Sequence, residues 1–221
     1  RVREEIARPS AFRLFNGEWD KVRIVEVAQP SHRELEQRSL AEIAAASARD
    51  PLDAMLDLAL DEDLATVFTA QLLNSDEDAV GRMLNDPNAI VSLSDAGAHL
   101  TFFNDAGFGL HLLGHWSRDV GAMPLEEAVR RLTSHPAGVL GLERRGRIRV
   151  GDAADLLLFD PKTVGRGPKR RVHDLPAGAA RLTTDAVGVH GVWVNGTQVA
   201  DADGLVDKPP LAGELLTRFA S

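Results

Sequence analysis

The 221-residue sequence contains no cysteine. Disulfides, thiolate metal centres and cysteine nucleophiles are therefore excluded within it. Tyrosine is also absent, and aromatic residues make up only 5%. No apolar stretch approaches the roughly 20 residues that a membrane-spanning helix needs. The first residues carry no secretory signal, so a cytoplasmic location is expected. The net charge is −8, which argues against a nucleic-acid or anionic-membrane surface covering the protein. No Gly-x-Ser-x-Gly turn, phosphate loop or dinucleotide fingerprint is present, and the glycines are scattered singly. Two basic runs, Arg144-Arg145-Gly146-Arg147 and Lys169-Arg170-Arg171, lack interleaved aromatics. They read as solvated surface or salt-bridged turns.

What is present is a soluble composition, 44% hydrophobic and 26% charged. That is ample for one large core, or for one large and one small domain. "KVRIVEVAQP" (21–30) alternates apolar and charged residues, as a strand ending at Pro30 does. Residues 39–63 read as two helices. Ser39 and Glu42 have capping-box spacing, and Asp50-Pro51 punctuates. Leu52, Met55, Leu56, Ala59 and Leu60 would form the inner face of the second helix. Asp61-Glu62-Asp63 reads as its solvated end. A strand over 65–72 and a helix capped by Ser75 and stopped by Pro87 follow, then the short β-branched run "AIVSL" (89–93). The 65–72 and 89–93 runs, joined through that helix, predict parallel strands in an α/β fold. "PLEEAVRRLTSHPAGVLGL" predicts a helix starting at Pro124. From about residue 146 the pattern turns to β: a short strand, a Gly-Asp turn, an apolar strand, and a hairpin at Asn195-Gly196. "GPKRRVHDLPAGAARL" between them reads as a long ordered loop.

Several residues are candidates for chemistry. Asp95 directly follows "IVSLS", where α/β folds place functional groups at the carboxyl ends of strands. It could bind a metal or take a proton from water; it could equally make an Asx turn or cap a helix. His99, four residues on, could contact substrate or anchor the loop. His111 and His115 stand at i and i+4, which can put two imidazoles on one helix face. No glutamate flanks the first, and no third ligand is indicated. Asn74 and Ser134-His135 read as turn or structural residues.

Taken as a set, "SLSDAGAHL", "PLEEAVRRLTSHPAGVLGLERRGRIRVGDAADLLLFDP", "VHDLPAGAARL" and "GVWVNGTQVADADG" resemble the C-terminal part of the amidohydrolase superfamily. The branch most similar is that of the N-acyl-D-amino-acid deacylases (D-aminoacylases). The resemblance runs from about residue 20 to the end, and 133–160 is its most specific stretch. It implies a zinc-dependent hydrolase on a (β/α)8 barrel with a small β-sandwich built from both ends of the full chain. "SLSD" would be the eighth barrel strand. Asp95 would be both a metal ligand and the base that accepts a proton from the attacking water. The substrate would be a small-molecule amide, an N-acyl-D-amino acid.

The departures from that family are equally clear. No His-x-His or His-x-Asp occurs, and the family's other histidine ligands are missing. A whole barrel takes about 250 residues. The expectation is therefore the C-terminal part of a longer enzyme: residues 1–145 from the barrel and 146–221 a β-sandwich module with a tail. Alone, such a chain is expected to bind no metal and to be inactive, because catalytic zinc needs about three protein ligands. Its open strand edges should drive self-association into a homo-oligomer, or require the missing N-terminal portion of the barrel. The alternatives are a non-catalytic fragment or pseudoenzyme whose β module serves assembly, and a cyclic-amide hydrolase of the hydantoinase or dihydroorotase kind.

Overall fold

Ser39 stops extended backbone and starts a helix. Its Oγ accepts the backbone N–H of Glu42, and the Glu42 carboxylate accepts the Ser39 N–H at 2.7 Å. This is the predicted capping box, and it opens α2 (Leu40–Ser47). Asp50 caps α3 (Pro51–Asp61), accepting from the N–H groups of Leu52 and Asp53, with Pro51 in the first helical position. The chain opens with α1 (Val2–Ile6) and β1 (Val22–Glu26). β2 (Val67–Ala70) follows α3. The computed structural model describes all residues except Ala11, Leu72, Arg218, Ala220 and Ser221. The last residue of the expected 65–72 strand, Leu72, therefore lies outside the described residues. Contacts divide the chain into two compact units, Arg1–Val80 and Gly81–Ser221. The fold is mixed α/β.

In the first unit β1 and β2 pair antiparallel, with Val22 opposite Ala70. A single crossover helix would bring the chain back to the start of β1. Two successive helices, α2 and α3, return it to the end of β1 instead. The inner face of α3 is displaced from the expected one. α3 packs on α2 and buries Ala54 and Leu58, leaving Leu56 and Leu60 exposed.

The acidic run also departs from expectation. Glu62 is not solvated; only 2% of it is exposed. Its carboxylate accepts the backbone N–H of Ala28 and, at 3.1 Å, that of Gln29. His32 Nδ1–H donates to the same carboxylate at 2.7 Å, while His32 Nε2 lies 3.3 Å from Asp61. Glu62 thus bonds the backbone where β1 gives way to the 3-10 turn Pro30–Leu35. Burial pushes the Glu62 carboxyl up. The hydrogen bonds from His32, Ala28 and Gln29 outweigh it and hold the group below the usual glutamate range.

α4 (Glu77–Asn85) is capped by Asp76, which accepts from Ala79 N–H at 2.9 Å. The expected cap, Ser75, instead accepts from the Lys21 ammonium at 2.9 Å.

In the second unit, α5 (Phe108–His111) runs directly into a π-helix, Leu112–Asp119. Leu112, Leu113 and Trp116 bury its inner face, joined in the core by Met123, Ala128 and Val164. Gly114 permits the close packing: a Cβ there would lie 2.5 Å from the Val164 carbonyl oxygen. The expected single helix from Pro124 is two, α6 (Leu125–Leu132) and α7 (Ser134–Val139). Pro136 explains the break. It has no N–H to donate to Leu132, and its ring crowds that carbonyl.

The 156–205 segment forms a four-stranded antiparallel sheet in the order β10-β9-β8-β3. Its strands are β3 (Leu156–Phe159), β8 (Val189–Val194), β9 (Thr197–Asp201) and β10 (Gly204–Leu205). The hairpin at Asn195-Gly196 is as expected. Both residues have positive φ, +46° and +81°, as a type I′ turn requires. The expected strand over 146–150 is absent, and Ile148 and Val150 are exposed. The expected loop holds a hairpin instead, β5 (Arg170–Val172) with β6 (Arg181–Thr183). A further ribbon pairs β4 (Gly165–Arg166) with β7 (Ala186–Val187). No helix among the described residues is long and apolar enough to cross a membrane.

The Glu62 network gives a pH test with a defined sign. A carboxyl depressed by folding contributes stability that is complete above its unfolded value, near 4.5, and is lost as pH falls through the lower folded value. Glu62→Gln should therefore lower the melting temperature at pH 7. The gap to the unsubstituted chain should narrow as pH drops below about 4.5. Thermal denaturation followed by circular dichroism at both pH values checks this; a gap independent of pH would contradict it.

Candidate functional site

The expected strand at 89–93 does not form; residues 89–95 carry no regular structure. A parallel strand needs a neighbour to take its N–H and C=O groups. Among the described residues no strand pairs with this segment. Its start is held by a side chain instead. Arg131, on α6, is 2% exposed. Its guanidinium donates to the carbonyl oxygens of Asn85 (2.8 Å), Asp86 (2.6 Å) and Ala89 (3.0 Å), and to Glu127 (2.8 Å). One arginine thus bonds the end of α4 and the entry to the Asp95 segment. Bonds from Arg130 and Arg131 hold the Glu127 carboxyl down to about 2.

Asp95 is exposed and has φ +57°, in the left-handed region. Its carbonyl accepts from Ala98 N–H at 3.1 Å, and Ser94 Oγ accepts from Ala96 N–H at 3.2 Å. This geometry is a tight turn of small residues, with the carboxylate displayed on it. His99 is exposed with φ +50°. Its ring stacks on Phe102, centroids 5.1 Å apart, and its carbonyl accepts from the N–H groups of Phe102 and Phe103. Both residues lie in one loop, 94–103, which is anchored at its far end. The Leu100 carbonyl accepts from Leu182 N–H at 2.8 Å, and the Thr101 carbonyl from Arg171 at 3.1 Å. The β5–β6 hairpin therefore clamps the loop that carries both candidates.

His111 and His115 come together as parallel rings, 4.7 Å between centroids and 6° between planes. Trp116 meets His115 edge-on at 5.1 Å. Among the described residues, no group of three His, Asp or Glu side chains could hold a metal ion. Asn74 has φ +51°, a turn conformation. The two basic runs are mostly paired: Arg145 with Asp155, Arg170 with Asp185 and Arg171 with the Thr101 carbonyl. Sequence reasoning missed Arg131 and the hairpin clamp. Arg131 sits on the same helix face as Leu125 and Ala128, the only sign in the pattern that it faces inward.

A family model described as "Amidohydrolase family" matches residues 9–200. The D-aminoacylase of Alcaligenes xylosoxydans xylosoxydans is 37% identical over 110 residues, 50% of this chain and 20% of that protein. The N-acyl-D-glutamate deacylase of the same organism is 32% identical over 194 residues, 86% of this chain and 35% of that protein. A solved N-acyl-D-glutamate deacylase from Bordetella bronchiseptica, complexed with zinc and a phosphonate inhibitor, is 31% identical with a TM-score of 0.44. The likeness covers 89% of this chain and 36% of that one. The chain thus spans from about a fifth to just over a third of the length of these relatives.

Removing Arg131 should loosen the whole entry to the loop. Arg131→Met leaves three backbone carbonyls without their donor, at a cost of about 3 kcal/mol. Urea unfolding measures the loss, and limited proteolysis should show new cleavage between Asn85 and Ala96. Unchanged stability would mean the guanidinium does not hold this segment.

Proposed function

Because the chain belongs to the amidohydrolase family, we propose that it is the C-terminal part of a hydrolase that cleaves the amide C–N bond of N-acyl-D-amino acids. The observation that carries this reading is the likeness to N-acyl-D-glutamate deacylase over 86% of the chain. In this reading Asp95 is the proton carrier. Its carboxylate accepts a proton as water adds to the amide carbonyl, and returns it to the nitrogen as the C–N bond breaks. The products are a carboxylate and a D-amino acid. Ser94, Ala96, Gly97 and Ala98 leave the approach to Asp95 open, and no atom lies within 4 Å of a Cβ built at Gly97. His99, four residues on, is the candidate for substrate contact.

Zinc would act as the Lewis acid in the complete enzyme. The described residues do not fit such a centre by themselves: Asp95 is exposed, and no group of three His, Asp or Glu side chains stands there to hold a metal. The remaining ligands, and the rest of the (β/α)8 barrel, would come from the portion of the relatives that this chain does not span. Exposed apolar side chains agree with that reading. Leu56, Leu60, Leu93 and the β3 run Leu156-Leu157-Leu158 all lie open to solvent to a large extent.

The test uses the full-length product of the parent gene and a panel of N-acetyl-D-amino acids. Asp95→Asn should lower kcat by at least about a hundredfold with the fold intact. His99→Ala should act mainly on KM. Unchanged turnover in Asp95→Asn would overturn the assignment. Turnover of cyclic amides alone would overturn the substrate class.

A further inference from the structure

Within an acidic chain, one groove is strongly basic. It is lined by Arg144, Arg145, Arg147, Arg149 and Asp152 along one loop, with Ser134, Ala137, Gly138 and Leu142 opposite, and encloses about 200 Å³. Four guanidiniums and one carboxylate give it a local charge near +3, against −8 for the whole chain. Two of the four are engaged. Arg145 pairs with Asp155, and Arg144 donates to the Gly151 carbonyl. Arg147 and Arg149 are exposed, and among the described residues neither side chain has a hydrogen-bond or ion-pair partner. Four other arginines of the chain pair closely with a carboxylate: Arg118 with Asp119, Arg130 with Glu127, Arg170 with Asp185, Arg181 with Asp174.

We propose that this groove binds the phosphate group of a small molecule, with Arg147 and Arg149 as its principal donors and the Ser134 hydroxyl as a third. Each guanidinium presents parallel N–H groups in a fixed fork. A single carboxylate has two oxygens and satisfies one fork. A phosphate monoester has three terminal oxygens and two charges, so it can accept from both forks and a hydroxyl at once. The groove volume exceeds that of one phosphate group, which leaves room for a small esterified alcohol. Ala137 and Leu142 supply the apolar contact for that portion.

The test is calorimetric titration of the full-length product of the parent gene at constant ionic strength, so that screening is fixed. The probes are inorganic phosphate, glycerol 3-phosphate and acetate. Saturable binding of either phosphate, tighter than acetate, is expected; which of the two binds better tells ester from free ion. Arg147→Ala/Arg149→Ala should weaken it by at least about tenfold. Gly138→Leu should weaken it without changing charge, because a Cβ built there meets no atom within 4 Å and its side chain would fill the groove. Arg170→Ala, in the other basic run, should change nothing. Circular dichroism confirms that each variant is folded. No saturable phosphate binding, acetate binding as tightly as phosphate, or undiminished binding in either groove variant would overturn the proposal.

Discussion

Backbone N–H and C=O groups that leave a helix or fail to enter a sheet must be bonded by something else, or the segment cannot be buried. Two ionic side chains meet that requirement in this chain. Glu62 takes the free N–H groups after β1, and Arg131 supplies the free carbonyls after α4. Each is 2% exposed. Each also has a counter-group, His32 for the carboxylate and Glu127 for the guanidinium. A buried charge without such partners would cost several kcal/mol. With them, it acts as a many-toothed connector between segments far apart in sequence. The same logic runs through the β5–β6 hairpin, which bonds the carbonyls of Leu100 and Thr101 where no strand continues the ladder.

This constraint separates what could be read in the sequence from what could not. The capping box at Ser39, the Asp50-Pro51 helix start and the Asn195-Gly196 hairpin were legible. Each is settled by residues within four positions of one another. The direction of β1–β2 pairing depends on two intervening helices, so the alternation of Val22 and Ile24 carries no trace of it. Glu62 lay hidden in an acidic run because carboxylates at helix ends are commonly solvated. Only the approach of Ala28 and His32, thirty residues and more away, makes it internal. Pro136 breaks a segment whose surrounding residues otherwise carry a strong helical pattern, and the pattern hides the break.

The candidate site divides in the same way. Asp95 and His99 were legible as a carboxylate and an imidazole on a small-residue loop, and the family likeness gives the former a chemical role to be tested. Their geometry was not legible. An apolar, β-branched run such as Ala89–Leu93 has the composition of a parallel strand, but composition does not supply hydrogen-bond partners. Without a flanking strand the run stays irregular. The turn at Asp95 is then set by local bonds at Ser94 and Ala98.

Charge pairing carries the last step. An acidic chain has carboxylates to spare, and several of its arginines sit on one. Glu127 shows the strength of such pairing, since two guanidiniums hold its carboxyl near 2. Arg147 and Arg149 differ in that two unneutralised guanidiniums line one groove. Repulsion among neighbouring guanidiniums disfavours leaving them so. The loop 144–152 tolerates it because other bonds, from the Arg144 guanidinium to the Gly151 carbonyl and from Ala153 N–H to the Arg144 carbonyl, fix the turn independently of those two side chains. Arg147 and Arg149 are therefore not needed to hold the loop, and their charge is free to act on a ligand.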